Sequence, residues 1–312
     1  MNVKTIAVEQ RPHRSARGLI SRKPTLTAVV LSLFASVGVF ATCAILYIIS
    51  SEFSIFLNHV GAAEFFFGTR WEPFMEPRSF GILPLLAGTM WIVVISTIFA
   101  VPVGVMIGAY LHHFCGRKRG LWLKPSLEIL AAIPTVVYGF VAVTLITPVM
   151  KRWLPETEIF NALSAGLVVG FMILPMISTL VHDALIEIPK RVREGAFALG
   201  AYPNEVFFGV EIRAIRARIF AAVVLSLSRA FGETMAVTLA AGAHPNLTWN
   251  PLESIQTITS YIVQASMGDA PHGTIINSSI YAASGVLFFV TLMLNLLAYT
   301  WIKRQKIGIS QL

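Results

Sequence analysis

Charge is scarce in this sequence of 312 residues: only 13% are Asp, Glu, Lys or Arg, where soluble domains carry roughly 25%. Together with 55% hydrophobic residues and a mean hydropathy of +0.72, this excludes an ordinary soluble domain. Cysteine is equally sparse. Cys43 in an apolar run and Cys115 in a basic loop make no disulfide framework and read as packing or incidental residues. Several signatures are missing altogether. No G-x-x-x-x-G-K-[ST], H-E-x-x-H, paired Cys/His spacing or G-x-S-x-G occurs, so neither a nucleotide cradle, a zinc site nor a serine nucleophile is indicated. No catalytic residue, metal ligand or cofactor is therefore expected in this chain. His112 and His113, in a basic loop, read as surface residues.

What the sequence does have is long apolar runs. A hydrocarbon core about 30 Å thick takes about 20 apolar residues per helix. Six stretches qualify: residues 25–50, 83–111, 126–150, 159–180, 219–242 and 275–302. The first is too long for the 7–15-residue apolar region of a cleaved signal and reads as a retained helix. The expectation is an all-α polytopic membrane protein. It comprises a basic tail (1–24), a first helix (25–50), an outer loop (51–82), a five-helix core (83–302) with an inner loop at 181–218, and a tail (303–312).

The net charge of +8 is explained by orientation rather than by nucleic acid, because the basic residues flank apolar runs. They fall before the first span (Lys4, Arg11, Arg14, Arg17, Arg22, Lys23), between the second and third (Arg117, Lys118, Arg119, Lys124), between the fourth and fifth (Lys190, Arg191, Arg193, Arg213, Arg216, Arg218) and after the sixth (Lys303, Arg304, Lys306). These segments alternate, which places both termini in the cytoplasm. Lys151 and Arg152 are the exception. Prolines 84, 134, 148 and 175 mark kinks and ends, and Trp91, Trp122, Trp153, Trp249 and Trp301 mark interface positions. Trp71, in the outer loop, is a candidate contact for a soluble partner.

Two stretches carry the functional signal. In the inner loop, Pro189 and Pro203 bracket KRVREGAFALGAY, where Val192, Ala196 and Leu199 form an apolar stripe at helical spacing. This predicts a short helix on the cytoplasmic face, ended or turned at Gly200. In the fifth span, SRAFGETMAV sets Arg229 and Glu233 four residues apart. On one helix they share a face. A charge at mid-membrane costs roughly 2.5–3.5 kcal/mol on insertion scales, so the pair either locks helices together as a buried ion pair or serves a protein-lined path. In the second account, Arg229 offers a planar guanidinium to an oxyanion, and Glu233 occupies Arg229 when the path is empty.

EGAFALGA, residues 194–201, resembles the EAA motif of ABC importer permeases, whose loop forms a coupling helix that docks on a partner ATPase. Glu194, Gly195, Ala196 and Gly200 match the pattern. The I-x-L-P that normally follows is replaced by VEIR (210–213), Arg218 stands where a small residue is expected, and Val181-His182 replaces a Ser-Glu pair. SFGILPLLAGTM (79–90), LKPSLEILAAIPTVVYGF (123–140), FFFGTRWEP (65–73) and the ETMAV ending of the fifth-span block together resemble the C-type permease family of high-affinity phosphate importers, PstC. The resemblance implies six transmembrane helices and a substrate pathway that includes Arg229, Glu233 and Thr234. It also implies a sister A-type permease, two copies of an ATPase holding ATP and magnesium, and an external phosphate-binding protein in a bacterial inner membrane. Two other readings stay open: a permease for another oxyanion such as molybdate, sulfate or phosphonate, and an ion-coupled secondary transporter with an Arg229–Glu233 proton relay. A sensor or scaffold role would be compatible with any of them.

Overall fold

The computed structural model describes residues 26–113, 115–269, 271 and 273–309. The expected basic tail and the last three residues lie outside them. The described residues fall into two units, divided between Ile48 and Ile49. The first contributes the opening part of α1 (Leu26–Val60), which is apolar and exposed, with Leu31, Phe34 and Phe40 all open.

The second unit is helical apart from a two-residue antiparallel pairing, Trp71–Glu72 (β1) with Ser79–Phe80 (β2). After α2 (Ala62–Phe67) come α3 (Leu83–His113), α4 (Arg117–Ala132), α5 (Thr135–Val141), α6 (Thr147–Trp153), α7 (Ala162–Ile186), α8 (Lys190–Ala198), α9 (Pro203–Glu205), α10 (Ile212–Phe231), α11 (Met235–Ala240), α12 (Ile258–Gln264) and α13 (Ile275–Ile309). Short π-helical turns follow α5, α9 and α12.

Among the described residues, four continuous helices are long and apolar enough to cross a membrane: α1, α3, α7 and α13. Of the other two expected spans, the third is a bent pair, and the fifth is not among the helices long and apolar enough to cross. The third bends by 91° between Trp122–Ala132 and Thr135–Lys151. Ile133 is extended there (φ −62°, ψ 129°), as the residue before a proline prefers, and Pro134 has no N–H to carry the ladder across. The fifth stops at Phe231 and resumes at Met235.

The most buried span is α7, and its partner is α3. The two backbones come close because Gly104 and Gly108 on α3, and Gly166 and Gly170 on α7, carry no side chain. A Cβ at Gly108 would meet the Ser178 carbonyl at 2.8 Å, and one at Gly170 would meet Phe99 at 2.7 Å. Small residues four apart let membrane helices pack this way.

The segment expected as the outer loop is also packed. Phe56, Phe65, Phe80 and Tyr261 surround Trp71 or one another, and the Trp71 and Tyr261 rings lie 4.8 Å apart. Trp71 is 1% exposed, so the sequence expectation of an outer-partner contact there fails: its indole is spent on the core. Burial pushes the Tyr261 phenol up to about 12, and its hydroxyl shares a hydrogen bond with Ser279 Oγ at 2.5 Å. The segment after α11 folds back inward. Trp91 Nε1 donates to the Thr248 carbonyl at 3.0 Å, and the Ile258 amide donates to Thr89 Oγ1 at 3.1 Å.

Candidate functional site

The break in the fifth span changes the relation expected of Arg229 and Glu233. Gly232 (φ −89°, ψ 0°) leaves helical geometry and the helix does not resume until Met235, so the two charges do not share a helical face. No ion pair joins them within 4.0 Å. Arg229 is exposed on the last turn of α10, whereas Glu233 is buried at 9% exposure.

The reason lies in the local sequence. Gly232 lacks the side chain that would favour a continuing turn, and a carboxylate at 233 offers the backbone another partner. Glu233 Oε1 accepts from the Ala236 amide at 3.3 Å, and Thr234 Oγ1 donates to the Gly232 carbonyl at 3.0 Å. Glu233 thus caps the start of α11, where negative charge is favourable. Arg229 ends α10, where positive charge is favourable for the same reason.

Two residues that sequence reasoning passed over complete this junction. Thr259 Oγ1 donates to the Glu233 carbonyl at 2.8 Å. Tyr138 on α5 is buried and donates its hydroxyl to the Leu130 carbonyl at 2.6 Å. The two broken spans meet here: a Cβ at Gly139 would strike the Ala236 carbonyl at 2.9 Å, so α5 and α11 pack at backbone contact. Tyr138 lay inside a block quoted for its resemblance, but nothing in its own spacing marked it.

Depth decides what an exposed Arg229 can face. Counted from the expected start of the fifth span at Ile219, Arg229 lies roughly 15 Å along the helix at the α-helical rise, about half of a hydrocarbon core. A guanidinium there is costly against lipid, so the surface around it suits water or another protein.

The inner loop holds the second candidate. The expected short helix is α8, with none of its residues buried. Glu194 and Gly195 are exposed, Ala196 is half-buried, and Phe197 and Leu199 are 45% and 91% exposed. Gly200 (φ +85°) ends the helix. Its amide bonds to the Phe197 carbonyl at 2.9 Å, and the Ala201 amide bonds to the Ala196 carbonyl at 3.2 Å. That pair of bonds is the Schellman closure a left-handed glycine permits.

Beneath α8, the structure gathers residues the sequence left apart. Glu211, from VEIR, is 0% exposed. It pairs with Arg193 of α8 and with His113 Nε2 at 2.5 Å, and Arg193 Nη2 donates to His112 Nε2 at 2.7 Å. Of the two histidines expected at the surface, His113 is exposed and His112 half-buried, and both belong to this network. Ligand atoms of His112, His113 and Glu211 lie within 4.8 Å of one another, the one group among the described residues that offers a metal-like donor set. Arg218, the other departure, pairs with Glu187 across an exposed surface.

Comparison with known proteins fits this architecture. The chain is 27% identical over 307 residues to a probable ABC transporter permease, YqgH, of Bacillus subtilis, covering 98% of each. It is 32% identical over 248 residues to the phosphate transport system permease protein PstC 1 of Mycobacterium tuberculosis, covering 72% of this chain and 73% of that one. Its fold is similar to a chain of the inward-facing MetNI methionine ABC transporter, with a TM-score of 0.53 and 16% identity over 72% of this chain and 94% of that chain. Residues 100–306 match one family throughout, and the chain belongs to the binding-protein-dependent transport system inner membrane component family, as an ABC transporter permease.

Proposed function

We propose that this permease is the C-type subunit of an ATP-driven importer of inorganic phosphate. One observation carries the reading: Arg229 is exposed at the end of α10, within the expected fifth span, at a junction where Glu233 is held aside as a cap. A guanidinium offers paired hydrogen bonds to a tetrahedral oxyanion. Broken spans expose backbone groups only where they line protein or a wet cavity, and relatives named as phosphate transport permeases support the choice of ion.

One chain then supplies half of a path, and a sister A-type permease supplies the other half. The exposed α8, with Glu194, Gly195, Ala196 and Gly200, docks on one of two ATPase copies, which hold the ATP and magnesium. An external phosphate-binding protein delivers the ion. Both termini lie on the cytoplasmic side of an inner membrane. Closure of the ATPases moves α8, and the spans change the side to which the path opens. Thr234, whose backbone marks the break, allows α10 and α11 to move against one another.

Glu233 has a use as a neighbour of the path without gripping Arg229. Transport requires binding firm enough to capture an ion and weak enough to release it. A carboxylate a few residues away lowers the local positive potential.

The test is uptake of labelled phosphate by vesicles that contain the assembled complex. Phosphate should be taken up only with ATP inside the ATPase compartment, and excess molybdate or sulfate should not compete. Competition by either ion would move the substrate assignment. Uptake driven by a proton gradient with this chain alone would replace the ABC mechanism by a secondary one.

A further inference from the structure

α8 leaves none of its residues fully buried, yet it is fastened to the bundle. Arg193, half-buried, is the side chain that fastens it. Its guanidinium pairs with Glu211 and donates to His112 at 2.7 Å. Glu211 is wholly buried and immediately precedes α10. Its second oxygen accepts from His113 at the end of α3. Three elements, α3, α8 and the start of α10, therefore meet at one carboxylate.

A buried carboxylate deprived of its cation is strongly destabilised. Arg193 cannot withdraw from Glu211 cheaply, so a displacement of α8 carries Glu211 with it. α10 begins at the next residue and bears Arg229 at its far end. The π-helical turn Val206–Glu211 runs into α10 with helical backbone at Glu211 and Ile212, so a shift of Glu211 continues along α10.

We propose that the Arg193–Glu211 pair is the linkage through which motion of α8 reaches α10 and the Arg229 junction, with both residues acting as positioning residues. This rests on the reading of α8 as the ATPase-docking element. The same cluster does not require an ion. The guanidinium already takes the carboxylate oxygen and the imidazole nitrogen that a metal would need, so cation and metal exclude each other.

The test uses the complete complex in lipid nanodiscs or vesicles and measures ATP hydrolysed per phosphate transported. Arg193→Gln and Glu211→Gln should keep the ATPase bound and hydrolysis within twofold, while raising ATP consumed per phosphate at least fivefold. Arg193→Lys, which keeps the charge, should return the ratio to within twofold of the unmodified protein. An unchanged ratio in both Gln variants overturns the linkage, as does loss of complex assembly in both, which would make the pair merely structural. Stoichiometric zinc binding by the unmodified protein, tightened at least tenfold in Arg193→Gln, would also overturn it by making the cluster a metal site. If the unmodified chain recruits no ATPase, the docking reading fails and takes the linkage with it; recruitment with an unchanged ratio removes the linkage alone.

Discussion

Thr259 donates its hydroxyl hydrogen to the backbone carbonyl of Glu233 at 2.8 Å, which ties the in-folded outer segment to the break in the fifth span. Both residues are buried. A carbonyl at a helix break has left the regular ladder and needs a partner from elsewhere, and Thr259 is one. The break is therefore held from outside the span as well as by Gly232 within it.

Removing that hydroxyl should loosen the junction. Thr259→Val keeps the shape but leaves a buried acceptor short of a donor, at a cost of about 1–3 kcal/mol. Amide exchange over residues 233–238 should quicken, and Thr259→Ser should restore it. Equal exchange in the unmodified protein and the Val variant would show that the bond holds nothing.

Packing of α3 on α7 offers a contrast between two identical substitutions. Alanine favours helix over glycine by about 1 kcal/mol, so Gly38→Ala on α1, where a Cβ meets nothing within 4 Å, should leave the melting temperature unchanged or raise it. Gly108→Ala puts a Cβ 2.8 Å from the Ser178 carbonyl. Overpacking of this kind costs about 1–3 kcal/mol, so the melting temperature of the detergent-solubilised protein should fall. A rise at both positions would mean that the two helices are not held at backbone contact.

Much of this architecture is legible without coordinates, and the parts that are not share a cause. Apolar length locates α1, α3, α7 and α13, because crossing lipid demands it. Gly200 announces the end of α8 because left-handed backbone favours glycine. The break at 232–234 is hidden. SRAFGETMAV satisfies the apolar and four-residue spacing of a continuous helix, and only Thr259, some 26 residues later, shows where the Glu233 carbonyl turns. His113 and Glu211, which bond in the cluster with Arg193 and His112, are likewise 98 positions apart. Periodicity within a segment carries no record of pairings across such distances. Trp71 misleads for the opposite reason: a loop position suggests exposure, but the aromatic cluster around it claims the ring.

Gly200 permits a test of the docking surface. Its φ of +85° costs a side-chain-bearing residue about 1–2 kcal/mol, so Gly200→Val should fray the end of α8 where Leu199 is displayed. Recovery of the ATPase with the purified permease pair should drop, while the permease pair itself stays intact. Undiminished recovery would place the docking surface elsewhere on the cytoplasmic face.

Arg229 separates charge from geometry. If its role is only to supply positive potential at mid-membrane depth, Arg229→Lys should transport nearly as well as the unmodified protein. A planar fork that binds two oxyanion oxygens gives a different pattern. A hydrogen bond to a charged group contributes about 1.5–3 kcal/mol, so losing one of two should slow uptake by at least roughly tenfold in the Lys variant, with further loss in Arg229→Gln. Because Glu233 caps α11 rather than pairing with Arg229, neither replacement strands a buried carboxylate, and assembly should be preserved in both. Phosphate uptake by Arg229→Gln at the unmodified rate, in a complex of normal composition, would remove Arg229 from the path and with it the assignment of the broken junction as the place where the ion crosses.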